Sequence, residues 1–347
     1  MGAQAKNSIR ERCDLTDAVF CEAESGLNLE NSNLRKITKP VVSITWGFLD
    51  EGHFAQIICE KLKENGIVPL KFQAVPAGVN PSLVVKEVEE VFSSFENVQI
   101  LSARSIGEKL LFFRSSNGEI DKIYKQASSI SKFANAHLLP GGEDIEPELY
   151  GEEFSIPKES MPKILNDLQI TQKEFLVKIE RYLRSNRRYT KSLLELSILH
   201  HADLASQKIL AICRGLQAVN TFQGGTLRQH VSGQEGVQAL RSTPLASPRV
   251  EQLKNEFFGP GEIHAYSMHH QCAEKIGKGL HVLYESKEGV PKAMVHENGR
   301  VVATQFHPEM YDDEDAIKED PSFLKSAPYF RGLFQWLARS NQSEARL

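Results

Sequence analysis

The sequence predicts an α/β protein built on a parallel sheet, and three observations carry that prediction. Short apolar runs alternate with helical patterns from Pro40 onward, as in βαβ units. The run Ile209-Leu210-Ala211-Ile212 is apolar at four consecutive positions, which suits a parallel strand covered on both faces. It passes directly through Cys213, Arg214 and Gly215 into a helical pattern with Leu216, Val219 and Phe222 on one side.

Taken in order, residues 1–38 are polar and weakly periodic, and are expected to form a mobile N-terminal extension. Pro40 to Thr45 reads as the first strand, Ala55 to Leu62 as an amphipathic helix and Ile67 to Leu70 as the second strand. The pattern then loosens over about 80–132. Val84 to Phe92 reads as helical and Leu110 to Phe113 as a strand, within a stretch expected to be partly an insertion. Ala136 to Leu139 is a strand running into Pro140-Gly141-Gly142. A second insertion is expected over about 152–190. There Lys178, Arg181, Arg184, Arg187, Arg188 and Lys191 cluster on one helix, with Phe175, Ile179 and Leu183 on its apolar side. That basic face is either simply solvated or a rim that attracts an acidic substrate. After the cysteine helix, His281 to Tyr284, Ala293 to Val295 and Val301 to Thr304 read as strands, the last two joined at Asn298-Gly299. Phe330 to Ala338 closes the domain as an amphipathic helix, and 341–347 is a tail. One domain, 39–340, accounts for the chain.

The strand-to-helix turn at Cys213 suggests chemistry. A side chain there stands clear of the sheet at a helix N-terminus, where backbone N–H groups and the macrodipole favour an anion. Serine hydrolases build a nucleophile elbow this way, and the geometry suits a thiolate equally well. A lone cysteine is more often a small apolar packer. Here, however, Gln305-Phe306-His307-Pro308-Glu309 ends a second strand, and supplies a base in His307 and a carboxylate in Glu309 to orient it. The glycine pair after Pro140 lets the backbone approach a ligand. The N–H groups of Gly142 and Arg214 are the natural donors for an oxyanion. On its own, Pro140-Gly141-Gly142 would be only a strand-ending turn.

Together these motifs resemble the class I glutamine amidotransferase-like superfamily, and within it the gamma-glutamyl-gamma-aminobutyrate hydrolase group, the C26 type of cysteine peptidase. The resemblance rests on Leu138 to Ile145 with Pro147, Tyr150 and Gly151, on Ile212 to Gln217 with Asn220, and on Gly224 to Gln229. Ser267-Met268-His269-His270-Gln271 and Phe306 to Glu309 complete it. It implies a flavodoxin-like open, mostly parallel sheet with helices on both faces, plus inserted segments. It implies hydrolysis of a gamma-glutamyl amide through a thioester, with Cys213 as nucleophile, His307 as base, Glu309 as orienting carboxylate, and Gly142 and Arg214 as backbone oxyanion donors. Gly141, Gln217, Ser267 and His270 match positions near the substrate, as ligand contacts or as structural residues. The chain departs from the group at Pro291-Lys292, where relatives more often carry a carboxylate. Arg214 and the His269-His270-Gln271 element favour the hydrolase group over synthetase-linked glutaminase domains, which usually carry Gly at the place of Ala211. Two other functions remain open: a glutaminase subunit delivering ammonia to a synthetase in trans, and a catalytically silent binding protein.

Composition narrows the rest. A formal net charge of −4 gives no global pull towards nucleic acid, and no apolar run is long enough to span a bilayer. The N-terminus has no apolar h-region, and Lys6 stands where a myristoylation motif wants Ser or Thr. The five cysteines, Cys13, Cys21, Cys59, Cys213 and Cys272, are odd in number and irregular in spacing, which favours free thiols in a reducing, cytoplasmic setting. No zinc-ligand spacing occurs and the proposed reaction needs no cofactor. A small-molecule or peptide gamma-glutamyl substrate is the expected partner. Oligomeric state is not readable from the sequence.

Overall fold

The computed structural model describes residues 40–45, 52–72, 127–151 (except 129 and 133) and 187–339. The predicted N-terminal extension, the tail, the helix at Val84 to Phe92, the strand at Leu110 to Phe113 and most of both insertions lie outside these residues. Among the described residues, nine strands form one sheet in the order β2-β1-β3-β4-β11-β10-β9-β6-β7. Its parallel half consists of β2 (Val68–Phe72), β1 (Val41–Thr45), β3 (Ala136–Leu139), β4 (Lys208–Ile212) and β11 (Val301–Thr304). From β11 the sheet continues antiparallel through β10 (Pro291–His296), β9 (Leu280–Glu285), β6 (Glu235–Ser242) and β7 (Ile263–Met268). Two-residue strands β5 (Leu227–Arg228) and β8 (Cys272–Ala273) pair separately.

Helices cover both faces, and the period-two alternation of β4 shows how. Ile209 and Ala211 pack into a cluster with Leu196 and Leu199 of α2 (Arg187–Leu204) and Leu216 and Val219 of α3 (Arg214–Phe222). Leu210 and Ile212 point the other way. Their cluster includes Ile58 and Leu62 of α1 (Gly52–Glu64), Phe257 of α4 (Pro248–Phe258), Ala316 of α5 (Glu314–Glu319), and Phe330, Leu333 and Phe334 of α6 (Phe323–Ala338). An apolar strand in a parallel sheet is apolar at every position because both its faces are dry. The fold is therefore α/β, with an open sheet whose parallel half carries the site. No helix among the described residues is long and apolar enough to cross a membrane.

Several elements differ from the sequence reading. Helix α2 runs through residues 192–204, which the hydrophobic pattern left unassigned, and its Lys191 is buried. Lys191 therefore does not belong to a solvated basic face: its ammonium donates to the Gly141 carbonyl at 3.0 Å. Lys178, Arg181 and Arg184 lie outside the described residues. β6, β7 and α4 were also unassigned from sequence. Helix α4 does carry the usual punctuation, with Ser247 capping the Val250 N–H, Pro248 in the first turn and Gly259 after the last.

Gly215 lets β3 and α3 touch. An alanine Cβ there would lie 2.3 Å from the Leu139 carbonyl oxygen, backbone that has no room to retreat inside the sheet. Gly215→Ala should therefore cost about 1–3 kcal/mol of stability, read from urea unfolding. A variant as stable as the parent would show that the contact relaxes freely.

Candidate active site

The site lies at the C-terminal edge of the parallel strands, where open α/β sheets place their ligands. Cys213 occupies the turn between β4 and α3 at φ 52°, ψ −105°, a left-handed conformation costly for a residue with a side chain. Its N–H donates to the Thr304 carbonyl at 2.6 Å, and its own carbonyl accepts from Leu216 at 3.1 Å. The turn is thus pinned from the neighbouring strand and from the first turn of its own helix. That is the elbow expected of this sequence.

His307 lies three residues beyond the end of β11 and opens a short 3-10 turn, Pro308–Met310. Its N–H is held by the Tyr266 carbonyl at 2.8 Å, and its Nδ1 lies 2.8 Å from Glu309 Oε1. With Nδ1 engaged, Nε2 is the nitrogen left for Cys213, whose side chain interacts with the ring. Both His307 (3% exposed) and Glu309 (0%) are buried. Burial pushes the imidazole pKa down, but the Glu309 carboxylate and the Cys213 sulfur outweigh it and raise it to about 10. At neutral pH the ring therefore keeps its proton. The structure brings Cys213, His307 and Glu309 together in the predicted order.

Gly141 is wedged between the first two: a Cβ on it would sit 3.2 Å from His307 Cε1 and 3.6 Å from Cys213 Cβ. β3 and β4 pair in parallel with Leu139 opposite Ala211, so Pro140–Gly142 leaves the sheet beside Cys213–Arg214. Continued by three residues, that register sets Gly142 across from Arg214. Gly142 is exposed, whereas Gly141 is buried.

The Arg214 side chain turns away from this edge and is 1% exposed. Its guanidinium pairs with Glu195 and donates to Ser192 Oγ at 2.6 Å. Thr45 Oγ1 donates to the second Glu195 oxygen at 2.9 Å, and Ser192 Oγ donates to Glu146 at 2.5 Å. Helix α2 thus supplies Lys191, Ser192 and Glu195 to the underside of the site. The sequence reading missed Ser192 and Glu195, and set Lys191 on a basic face instead. The available cue was polar residues set inside Leu193, Leu194, Leu196, Ile198 and Leu199, since a helix apolar on all sides is buried and its polar residues need partners there.

The other expected contacts divide. Gln217 is buried, and its Nε2 donates to the Gln271 carbonyl at 2.8 Å and to Gln305 Oε1 at 3.4 Å. Ser267 is fully buried and accepts from Lys292. Both are engaged inside the protein. His270 is exposed at the rim, 3.1 Å from Asp144 and stacked on His230. Gln271 clamps the glycine loop through the Ile145 N–H at 3.0 Å and carbonyl at 3.2 Å. Asn220 braces the turn at Gly225 by donating to the Thr226 and Lys275 carbonyls, both at 3.0 Å. Gln305, also missed, is fully buried, and its Nε2 donates to Cys213 Sγ at 3.7 Å. No group of His, Cys, Asp or Glu among the described residues is arranged to hold a metal ion. The three described cysteines, Cys59, Cys213 and Cys272, are free thiols.

Two outcomes check this arrangement. Glu309→Gln removes the charge that supports the imidazolium, so the His307 pKa should fall by about one unit or more in an NMR titration. An unchanged titration would remove Glu309 from that role. Glu195→Gln leaves the Arg214 charge buried beside a neutral partner and should cost about 3 kcal/mol in urea unfolding.

Comparison with known proteins agrees with the motifs. Residues 183–309 match the Peptidase C26 family model. A Lactococcus lactis protein named as glutamine amidotransferase-like is 30% identical over 178 residues, 50% of this chain and 64% of the relative. A Schizosaccharomyces pombe protein named as a glutamine amidotransferase is 26% identical over 223 residues, 61% of this chain and 74% of the relative. The chain spans about half (52%) of a similarly named Mycobacterium tuberculosis relative, at 27% identity. Residues 183–309 are thus similar to the Peptidase C26 family, and the chain is similar to proteins named as glutamine amidotransferase-like.

Proposed function

We propose that the protein is a cysteine hydrolase that cleaves gamma-glutamyl amides through a thioester on Cys213. The observation that carries this reading is the strained Cys213 turn set against a buried His307–Glu309 pair. The likeness of residues 183–309 to the Peptidase C26 model supports amide-bond chemistry of the cysteine type, and the gamma-glutamyl specificity is our extension of it.

The thiolate adds to the gamma-carbonyl carbon, and the carbonyl π electrons move onto oxygen. The Gly142 and Arg214 N–H groups receive that oxyanion. Collapse breaks the C–N bond as His307 passes its Nε2 proton to the departing amine nitrogen. His307, now neutral, takes a proton from water as the hydroxyl adds to the thioester. The second collapse releases the gamma-carboxyl product and returns the sulfur as thiolate and the imidazole as imidazolium. Glu309 holds the ring with Nε2 forward in both states. Gln305 donates to the sulfur, and Gln217 fixes the orientation of that amide.

Gly141 and His270 line the proposed approach to the sulfur, and a small-molecule or peptide substrate suits an edge site of this kind. The chemistry needs no metal or organic cofactor, involves neither nucleic acid nor membrane, and requires the reduced thiol of a cytoplasm-like compartment. The names of the relatives favour a second reading, a glutaminase that passes ammonia to a partner in trans. A large rate increase with glutamine on adding such a partner would select it.

Cys213→Ala should lower turnover of gamma-glutamyl amides about a thousandfold or more while leaving the melting temperature nearly unchanged. Intact mass of the wild-type protein mixed with a panel of these amides should show a Cys213-linked gamma-glutamyl adduct. Retained turnover in the alanine variant would exclude Cys213 as nucleophile.

A further inference from the structure

β10 carries a fully buried lysine, Lys292, whose partner Ser267 adjoins Met268, the residue whose carbonyl lies 3.9 Å from Cys213 Sγ. Its Nζ donates to Ser267 Oγ at 2.9 Å and lies 2.8 Å from His269 Nε2. His269 Nδ1 lies 3.0 Å from the Gln271 carbonyl, so Nδ1 carries the ring proton and Nε2 accepts from the lysine. Both partners are neutral. Burial and the Lys292 charge push the His269 pKa down to about 3, which keeps that ring uncharged at working pH. Among the described residues no carboxylate forms an ion pair with Lys292.

The ionisable groups around the amine can be named. Cys213 faces it from the β4–α3 turn, Cys272 from β8, His269 from the segment after β7 and Glu288 from the loop before β10. Glu288 is exposed and turned to Ser286 Oγ at 2.8 Å. Cys272 is buried, and that burial raises its thiol pKa, so it stays protonated. A buried ammonium without a counter-charge is costly, and the charge best placed to balance it is a thiolate on Cys213. The backbone couples the two regions as well: the Gln305 N–H, whose side chain reaches Cys213, donates to the Lys292 carbonyl at 2.8 Å.

We propose that Lys292 is a positioning residue for the nucleophile, the buried counter-charge that helps hold Cys213 as thiolate alongside His307. The proposal rests on Cys213 being the nucleophile, and it deepens that reading by giving the sulfur a second cationic support. Burial lowers the Lys292 pKa to about 7, against the pull of Cys213, Cys272 and Glu288. The amine is therefore charged below neutral pH, where a thiolate most needs help, and loses its proton above it.

The test is iodoacetamide alkylation of the full chain across pH, with peptide mass scoring Cys213 and Cys272 separately. Lys292→Gln keeps a donor for Ser267 without the charge, and Lys292→Met removes both. Both should move the Cys213 midpoint up by about one pH unit, which slows alkylation roughly tenfold below the midpoint. An unmoved midpoint overturns the proposal, as does a shift confined to the methionine variant, which would make the role one of hydrogen bonding. If neither variant folds, the reciprocal effect decides. In Cys213→Ser the Lys292 midpoint, followed by side-chain carbon NMR, should fall relative to wild type, and an identical midpoint overturns the proposal. Alkylation reads the thiol without turnover, so this failure is distinct from retained activity in Cys213→Ala.

Discussion

The Cys213 backbone, at φ 52° and ψ −105°, holds a conformation worth on the order of 1–3 kcal/mol of strain that only its surroundings can impose. β4 lies between β3 and β11, so neither end of the turn can shift without breaking a parallel ladder. Gly215 then seats α3 directly on Leu139. The strain lifts one sulfur above the sheet edge at the start of a helix. The rest of the site is arranged around that position: Gly141 closes against it, and His307 reaches it from the next strand over.

Charge is handled differently on the two sides of this turn. Beneath it, Arg214 and Glu195 neutralise one another, and hydrogen bonds extend the network to Ser192, Thr45 and Glu146. Removing either member of the ion pair would strand a buried charge. Around the sulfur, His307 has a carboxylate partner, and among the described residues Lys292 has none. A site that must form and lose a thiolate in each cycle benefits from neighbours whose charge is incompletely balanced until the sulfur ionises. Arg214 joins the two sides. Its side chain belongs to the buried network and its backbone to the proposed oxyanion donors, so the ion pair fixes the donor without presenting a cation to substrate.

Much of this was legible because it is local. The elbow, the His-Pro-Glu strand end and the Pro-Gly-Gly turn are contiguous runs whose residue types dictate backbone shape. β1, α1, β2, β3, β4, β9, β10, β11 and the end of α6 follow from periodicity and turn residues. β6 was illegible because its exposed and half-buried positions do not alternate. α2 escaped because residues 191–199 are all buried and leave no polar face there to give a period, and its polar residues read as a surface.

The amino-acid order alone thus determined the parallel core, the strand-to-helix turn and which three side chains carry the proposed chemistry, since each follows from neighbours in the chain. The tertiary structure decided what surrounds them: that Lys191 turns inward to Gly141, that Glu195 meets Arg214, that Gln305 reaches the sulfur, and that Lys292 is buried among neutral partners. Those pairings span tens of residues across different strands and helices. Whether a charged side chain is solvated or buried depends on what packs over it, and no local pattern encodes that.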